Sequence, residues 1–292
     1  MKTDAPVLGF IGLGVMGSGM CANVVAKHFA PVHAFDMNPE ALAAQVANGA
    51  VEATCVEEVA KAAQVIFLSL PGGKQVHTVS KEIAAHGSRG TVIVDLSTTA
   101  VSDARETANM LHQHGISFAD APVARTRQAA AEGTLSIMVG AASETFVRIE
   151  PLLRYMGSDV TLCGEVGCGQ VVKLINNTLL FEQIAAIAEM MVVAQRAGVM
   201  PDKLIEAVGL GSGNSFALQT HAKKAMAPRN FPKRAFPSHY ALKDLAYTIE
   251  LAETMEVAPR MARLASEYYQ EAVDEGIGDK YFPAIIELVD RC

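Results

Sequence analysis

The chain has 292 residues, half of them apolar and only 19% charged, enough apolar material for a sizeable core and for more than one domain, which excludes a disordered chain. A net charge of −7 provides no basic footprint for nucleic acid or for an anionic membrane surface. Five sparse cysteines (Cys21, Cys55, Cys163, Cys168, Cys292) are expected to be reduced thiols in a cytoplasmic protein. Cys163 and Cys168 lack the further Cys or His pair that structural zinc requires. Met1 to Phe10 shows no basic stretch leading into an apolar one, so no secretory leader is expected. No uninterrupted apolar run reaches the ~18 residues of a membrane span.

The first predicted element is an apolar strand, Val7 to Ile11, running directly into Gly12-Leu13-Gly14-Val15-Met16-Gly17. A helix from Ser18 to about Phe29 follows, then a strand from Val32 to Phe35 ending in Asp36, 19 residues after Gly17. Strand, glycine turn, helix, strand and acid in this order describe a dinucleotide-binding unit. Gly12 is expected to make the tight turn, Gly14 to let backbone approach a pyrophosphate, and Gly17 to let the helix pack on the sheet. Val15 and Met16 complete the turn over which the pyrophosphate would sit, at the helix N-terminus. The Asp36 carboxylate would accept from the ribose hydroxyls and repel a 2′-phosphate. Met37-Asn38-Pro39 offers no arginine to neutralise such a phosphate, so the expected cofactor is NAD.

Alternation continues with helices over Pro39–Ala47, Val56–Ala62, Lys74–Ala85 and Val101–His114, and strands near Val51, Val65–Ser69, Thr91–Asp95 and Ile116–Ala119. Such a pattern predicts a mostly parallel, doubly wound sheet with both faces covered, ligands lying beyond the carboxyl ends of the strands. Leu70, Pro71, Ser97 and Thr98 fall at that edge; Ser97 and Thr98 are also placed to cap the following helix. Thr134–Val139 and Asp159–Leu162 read as further strands, with a helix over Glu144–Tyr155 between them.

After Gly164 the character becomes all helical, which places the domain boundary at 166/167: a Rossmann domain over 1–166 and a helical domain over 167–292. The second begins with a helix of roughly thirty residues to about Gly198, against a mean of about 11–12. Lys173, Asn176 and Asn177 share one of its faces at i, i+3 and i+4. The remainder is so apolar that burial nearly all round is expected. A lysine and two amides there require partners, and a substrate would supply them. The eight histidines show no metal spacing; His239 stands one turn before Lys243, either lining a cleft or at the surface.

Four stretches in order carry a resemblance: Gly9 to Gly17, Asp120-Ala121-Pro122-Val123, Gly169 through Lys173 to Asn177, and Lys243-Asp244-Leu245. Over essentially its whole length the chain resembles the β-hydroxyacid dehydrogenases, the group of 3-hydroxyisobutyrate dehydrogenase. The resemblance implies a Rossmann domain followed by a helical one, a homodimer or homotetramer assembled through the helical part, and reversible oxidation of a small anionic 3-hydroxy acid to its semialdehyde. It also implies Lys173 as the catalytic residue, Asn177 as a substrate contact beside Asn176, and Thr98 and Lys243 as cofactor neighbours. The chemistry agrees independently, because a lysine ammonium beside a carbonyl oxygen stabilises the alkoxide and can deliver its proton.

One departure from the pattern bears on the substrate. Where the family has Ser-Gly-Gly after Pro-Val, this chain has Ala124-Arg125-Thr126. A Pro-Val-x-Arg-Thr sequence resembles the 3-sulfolactaldehyde reductase branch, which implies that Arg125 and Thr126 meet a sulfonate. As residues alone, Arg125 either holds an oxyanion with its forked donors or pairs with a local carboxylate such as Glu132. Arg127 and Gln128 are expected to face solvent. Two other readings stay open: a carboxylate-specific semialdehyde reductase, and a non-catalytic NAD-binding protein, which would have no need of a buried ammonium.

Overall fold

The computed structural model describes residues 5–233 and 235–291. Residues 1–4 of the segment examined for a leader, and Cys292, lie outside the described residues. The chain divides into two compact units, one ending at Lys173 and one beginning at Leu174. That division falls inside the long helix rather than ahead of it at 166/167.

The first unit alternates β1 (Leu8–Ile11), α1 (Gly17–Lys27), β2 (Val32–Phe35), α2 (Pro39–Ala47), β3 (Val51–Glu52), α3 (Val56–Ala62), β4 (Val65–Leu68), α4 (Gly73–His86), β5 (Val92–Asp95) and α5 (Val101–Gln113). It continues with β6 (Ser117–Asp120), β7 (Val123–Ala124), α6 (Arg127–Glu132), β8 (Leu135–Gly140), α7 (Ser143–Leu153) and β9 (Gly157–Gly164). Among the described residues these strands form one sheet in the order β3-β2-β1-β4-β5-β6-β8-β7, with β9 paired to β8. Strands β1 to β6 pair in parallel; β8 is antiparallel to β6 and β7, and parallel to β9. The central strands β1, β4 and β5 are buried along their whole length. Side chains alternate between faces, so Val65 and Phe67 join one apolar core while Ile66 and Leu68 join the other. A sheet covered on both faces therefore shows unbroken apolar runs rather than alternation. The segment β7–α6 was not legible in the sequence: its two-residue strand and six-residue helix are too short for a periodic signal.

Helix α8 (Cys168–Arg196) begins in the first unit and continues into the second. The second unit adds α9 (Pro201–Gly209), a π-helical segment (Ala217–Met226), α10 (Ser238–Thr254), α11 (Arg260–Asp274), a 3-10 turn (Phe282–Ile285) and α12 (Ile286–Val289). Phe181, Tyr269 and Phe282 meet edge-on or tilted at its centre. His221 packs into the same core with Nδ1 2.5 Å from the Tyr281 hydroxyl, and burial holds its imidazole down to about 4.

The expectation that α8 is buried nearly all round is corrected. Val172, Ile175, Leu179, Met190 and Val193 are exposed and form a stripe along the helix. By length and composition alone α8 could also cross a bilayer, yet 44% of its most apolar window is buried within the chain.

Candidate active site

The glycine turn has the shape that the sequence requires. Gly12 has a φ of 97°, and a Cβ there would lie 2.2 Å from the Ser69 carbonyl oxygen. A Cβ on Gly17 would strike the Gly12 carbonyl oxygen, whereas one on Gly14 would meet nothing within 4 Å. The open side of Gly14 faces a cavity of about 420 Å³, lined by Leu13, Gly14, Val15, Ser18, Gly19, Arg127 and Ala131. Val15 is largely exposed, and Met16 precedes the first residue of α1. Asp36 at the end of β2 accepts from the Leu13 N–H at 2.5 Å and from the Asn38 N–H at 2.7 Å. The carboxylate is thus held against the turn by the Leu13 N–H and steadied by the Asn38 N–H of its own loop.

The next ligand edge is fastened to the start of α8. The Leu70 N–H donates to Ser97 Oγ at 2.9 Å, and the Ser97 N–H donates to Asp95 Oδ1 at 2.9 Å. Gln170, fully buried, donates from Nε2 to the Ser97 carbonyl at 2.8 Å and accepts the Thr99 N–H on Oε1 at 3.1 Å. Thr98 lies between the two residues so pinned. Neither Ser97 nor Thr98 is the cap of α5: the cap position is Ala100, and it makes no side-chain capping bond.

Asp120, at the end of β6 and wholly buried, anchors the same helix start. Its Oδ1 accepts the Gly167 N–H at 2.6 Å and its Oδ2 accepts the Gln170 N–H at 2.8 Å. These donors are among those a helix N-terminus leaves without intrahelical partners. Two glycines make room for the carboxylate, since a Cβ on Gly140 would lie 2.5 Å from Oδ1 and one on Gly169 2.8 Å from Oδ2. Burial pushes the Asp120 carboxyl from 3.8 up to about 6, against the backbone donors, which favour the charged form.

Lys173 follows Gln170 by one turn and is only 8% exposed. Asn177, one turn further on, is 5% exposed and donates from Nδ2 to Asp244 Oδ2 at 2.7 Å. Asn176 is exposed, and its Nδ2 donates to Asn177 Oδ1 at 3.1 Å. The Asn177 amide is therefore oriented at both ends. Asp244, on α10, is 2% exposed; its Oδ1 makes no hydrogen bond, and Lys243 Nζ is 3.4 Å away. That oxygen is therefore held by an ion pair rather than by a hydrogen bond. Lys243 Nζ also lies 5.3 Å from the centre of the Tyr247 ring. His239 takes the surface alternative, exposed and 3.4 Å from Asp279.

Arg125 is engaged locally. Its Nη1 donates to the Thr134 carbonyl and to Ser158 Oγ, and its Nη2 lies 2.8 Å from Asp159 Oδ2. The acidic partner is Asp159 rather than Glu132, which accepts instead from Gln128. Arg125 has a φ of 86°, a left-handed conformation suited to glycine; for another residue this costs about 1–2 kcal/mol. Thr126 caps α6, its Oγ1 accepting the Ala129 N–H at 3.3 Å. Arg127 is exposed, as expected, and it also borders the cavity beside the glycine turn. Among the residues whose roles the sequence did not reveal, Asp120 and Asp244 stood inside noted motifs, where a lone acid in an apolar context was the available signal. Gln170 gave none.

A glycine turn shaped for a pyrophosphate, with an acid held against it and a buried lysine on the helix leaving the sheet, defines an NAD(P)-dependent oxidoreductase. Residues 7–164 match the family described as the NAD binding domain of 6-phosphogluconate dehydrogenase, and residues 167–289 that described as NAD-binding of NADP-dependent 3-hydroxyisobutyrate dehydrogenase. The chain is 34% identical to the 2-(hydroxymethyl)glutarate dehydrogenase of Eubacterium barkeri, over 97% of this chain and 95% of that one. It is 32% identical to a probable 3-hydroxyisobutyrate dehydrogenase of Mycobacterium tuberculosis H37Rv, over 97% of each. The structure of Mycobacterium tuberculosis 3-hydroxyisobutyrate dehydrogenase with L-serine superposes with a TM-score of 0.89 at 30% identity, covering 98% of this chain and 99% of that one. The chain belongs to the 3-hydroxyisobutyrate dehydrogenase family. Among these relatives none bears a name tied to a sulfonate.

Asp120 yields a pH prediction. Its folded pKa is raised, so its contribution to stability is fully present below about pH 4 and is lost as pH rises through about 6. The loss amounts to about 3 kcal/mol. Thermal unfolding of Asp120→Asn across this range is expected to lack that fall; a variant with the wild-type pH slope would contradict the assignment.

Proposed function

We propose that the protein interconverts a small, carboxylate-tailed 3-hydroxy acid and its semialdehyde, with NAD as the preferred cofactor. The observation that carries this reading is the buried Lys173, one helical turn from an Asn177 amide that Asp244 and Asn176 hold in place. The dinucleotide, when bound, supplies or accepts the hydride at its nicotinamide. Gly12, Gly14, Val15, Met16 and Gly17 would hold its pyrophosphate, Asp36 its adenosine ribose, and Leu70 and Thr98 other parts of it. In the reducing direction Lys173 stabilises the charge growing on the carbonyl oxygen and gives that oxygen a proton; in the oxidising direction it takes the hydroxyl proton. Asn177 orients the reacting oxygen or the Lys173 amine, and Asn176 steadies Asn177.

Three considerations favour a carboxylate over a sulfonate tail. The sulfonate reading depends on Arg125, whose guanidinium is engaged by Asp159, Ser158 and Thr134. The left-handed backbone at Arg125 also keeps the loop in a conformation that glycine would adopt, which leaves its backbone amides, with Thr126, to meet a carboxylate. The named substrates of the relatives, 2-(hydroxymethyl)glutarate and 3-hydroxyisobutyrate, are carboxylates.

Oligomerisation fits the same reading. We infer that the apolar stripe on α8 packs against a second copy of this chain, because Val172, Ile175, Leu179, Met190 and Val193 recur at helical spacing and are exposed in one chain.

Replacing Lys173 by Ala is expected to lower kcat about 10²–10⁴-fold while leaving NADH affinity within a few-fold; steady-state rates on a panel of carboxylate and sulfonate semialdehydes measure the first and NADH titration the second. Turnover near the wild-type rate would remove the catalytic assignment. NADH is expected to outperform NADPH in kcat/KM, and Asp36→Ala is expected to narrow the gap; equal use of NADPH by wild type would refute the role of Asp36. In sedimentation without detergent the protein is expected to run as a dimer or tetramer and Leu179→Glu as a smaller species, and a wild-type monomer would sink the interface.

A further inference from the structure

Two arginines close in sequence have opposite surroundings. Arg125 is engaged by Asp159, Ser158 and Thr134. The exposed side chain of Arg127 makes no hydrogen bond or ion pair with any described residue. Arg127 is also the first residue of α6, and α6 is docked tightly on α1. Asn23 Nδ2, from α1, donates to the carbonyls of Ala130 and Ala131 at 3.0 Å each. Gly19 allows the close approach, since a Cβ there would lie 3.0 Å from the Ala130 backbone. This docking sets Arg127 in the wall of the cavity of about 420 Å³ beside the glycine turn. Its companions are Leu13, Gly14, Val15, Ser18, Gly19 and Ala131, so it is the sole charged residue of that lining.

We propose that Arg127 is a cofactor-binding residue, giving the dinucleotide pyrophosphate a charged side-chain contact in addition to the backbone amides of the glycine turn. A planar guanidinium presents forked donors that match two phosphate oxygens. In a chain of net charge −7, a single unpaired cation at this cavity also supplies the local attraction that the protein as a whole does not. The inference rests on the NAD(P) reading of the turn and deepens it, because it moves the anion-binding role from Arg125, on the substrate loop, to Arg127, on the cofactor cavity.

Direct binding tests it. The chain contains no tryptophan, so NADH emission can be titrated without tryptophan background. Wild type, Arg127→Ala and Arg127→Lys would be compared, with ADP-ribose and adenosine as competitors and at two salt concentrations. Arg127→Ala is expected to weaken NADH and ADP-ribose alike by about ten- to a hundredfold and to leave adenosine unchanged. Arg127→Lys is expected to recover part of the loss, and the salt dependence of Arg127→Ala to be shallower than that of wild type. If Arg127→Ala fails to fold, Arg127→Met keeps the aliphatic stem and gives the same reading. Unchanged NADH affinity in a folded variant overturns the proposal, as does an equal loss for adenosine. Unchanged NADH affinity with a raised KM for the hydroxy acid assigns Arg127 to the substrate instead. A wild type that binds neither NADH nor ADP-ribose overturns the cofactor reading itself, a result distinct from failure of the Arg127 assignment.

Discussion

The contact between the Asp120 carboxylate and the first turn of α8 is the constraint on which the placement of Lys173 depends. One buried carboxylate accepts the N–H groups of Gly167 and Gln170, both of which would otherwise be unsatisfied at the helix start. Gln170 in turn ties the same turn to the backbone of Ser97 and Thr99. The end of β6 and the loop after β5 therefore converge on one helical turn, and Lys173 is the next residue along that face. Room for this arrangement exists because positions 140 and 169 are glycines. The Asp-Ala-Pro-Val and Gly-x-x-x-Lys stretches are thus two halves of one anchor, which explains why both are needed to bring a lysine to the ligand edge of the sheet.

A buried carboxylate that orients another group occurs again in the second unit. Asp244 holds the Asn177 amide, and one of its oxygens makes no hydrogen bond while Lys243 stands 3.4 Å away. Both acids lie below 3% exposure, where a polar group left unpaired is expensive. Asp120 meets that demand with backbone donors and is structural. Asp244 meets it with the Asn177 amide on one oxygen and the Lys243 ion pair on the other.

The loop after β7 shows how sequence type and backbone conformation can separate. Arg125 carries a side chain that reads as an anion binder, yet its backbone keeps a left-handed conformation and its guanidinium braces the loop against Asp159 and Ser158. Two residues on, Arg127 reads as an ordinary surface charge, and it also borders the cavity beside the glycine turn. The sequence did not distinguish the two because the distinction depends on how α6 docks on α1, through Gly19 and Asn23. Neither residue signals a helix partner more than a hundred positions away.

What the amino-acid sequence determined by itself was everything governed by local order along the chain. Apolar runs separated by helical segments implied the doubly wound sheet, Gly12 to Gly17 with Asp36 implied the dinucleotide turn, and spacing alone put Lys173, Asn176 and Asn177 on one helix face. These features follow from backbone sterics and side-chain period, which act over a few residues. Tertiary structure alone decided what each polar group meets: Asp120 the helix start, Asp159 Arg125, Asp244 Asn177, and Arg127 the edge of a cavity. It also left one stripe of α8 uncovered where composition suggested burial on every side. Such pairings depend on distance in space between residues remote in sequence, and electrostatics acts through that distance rather than through position in the chain.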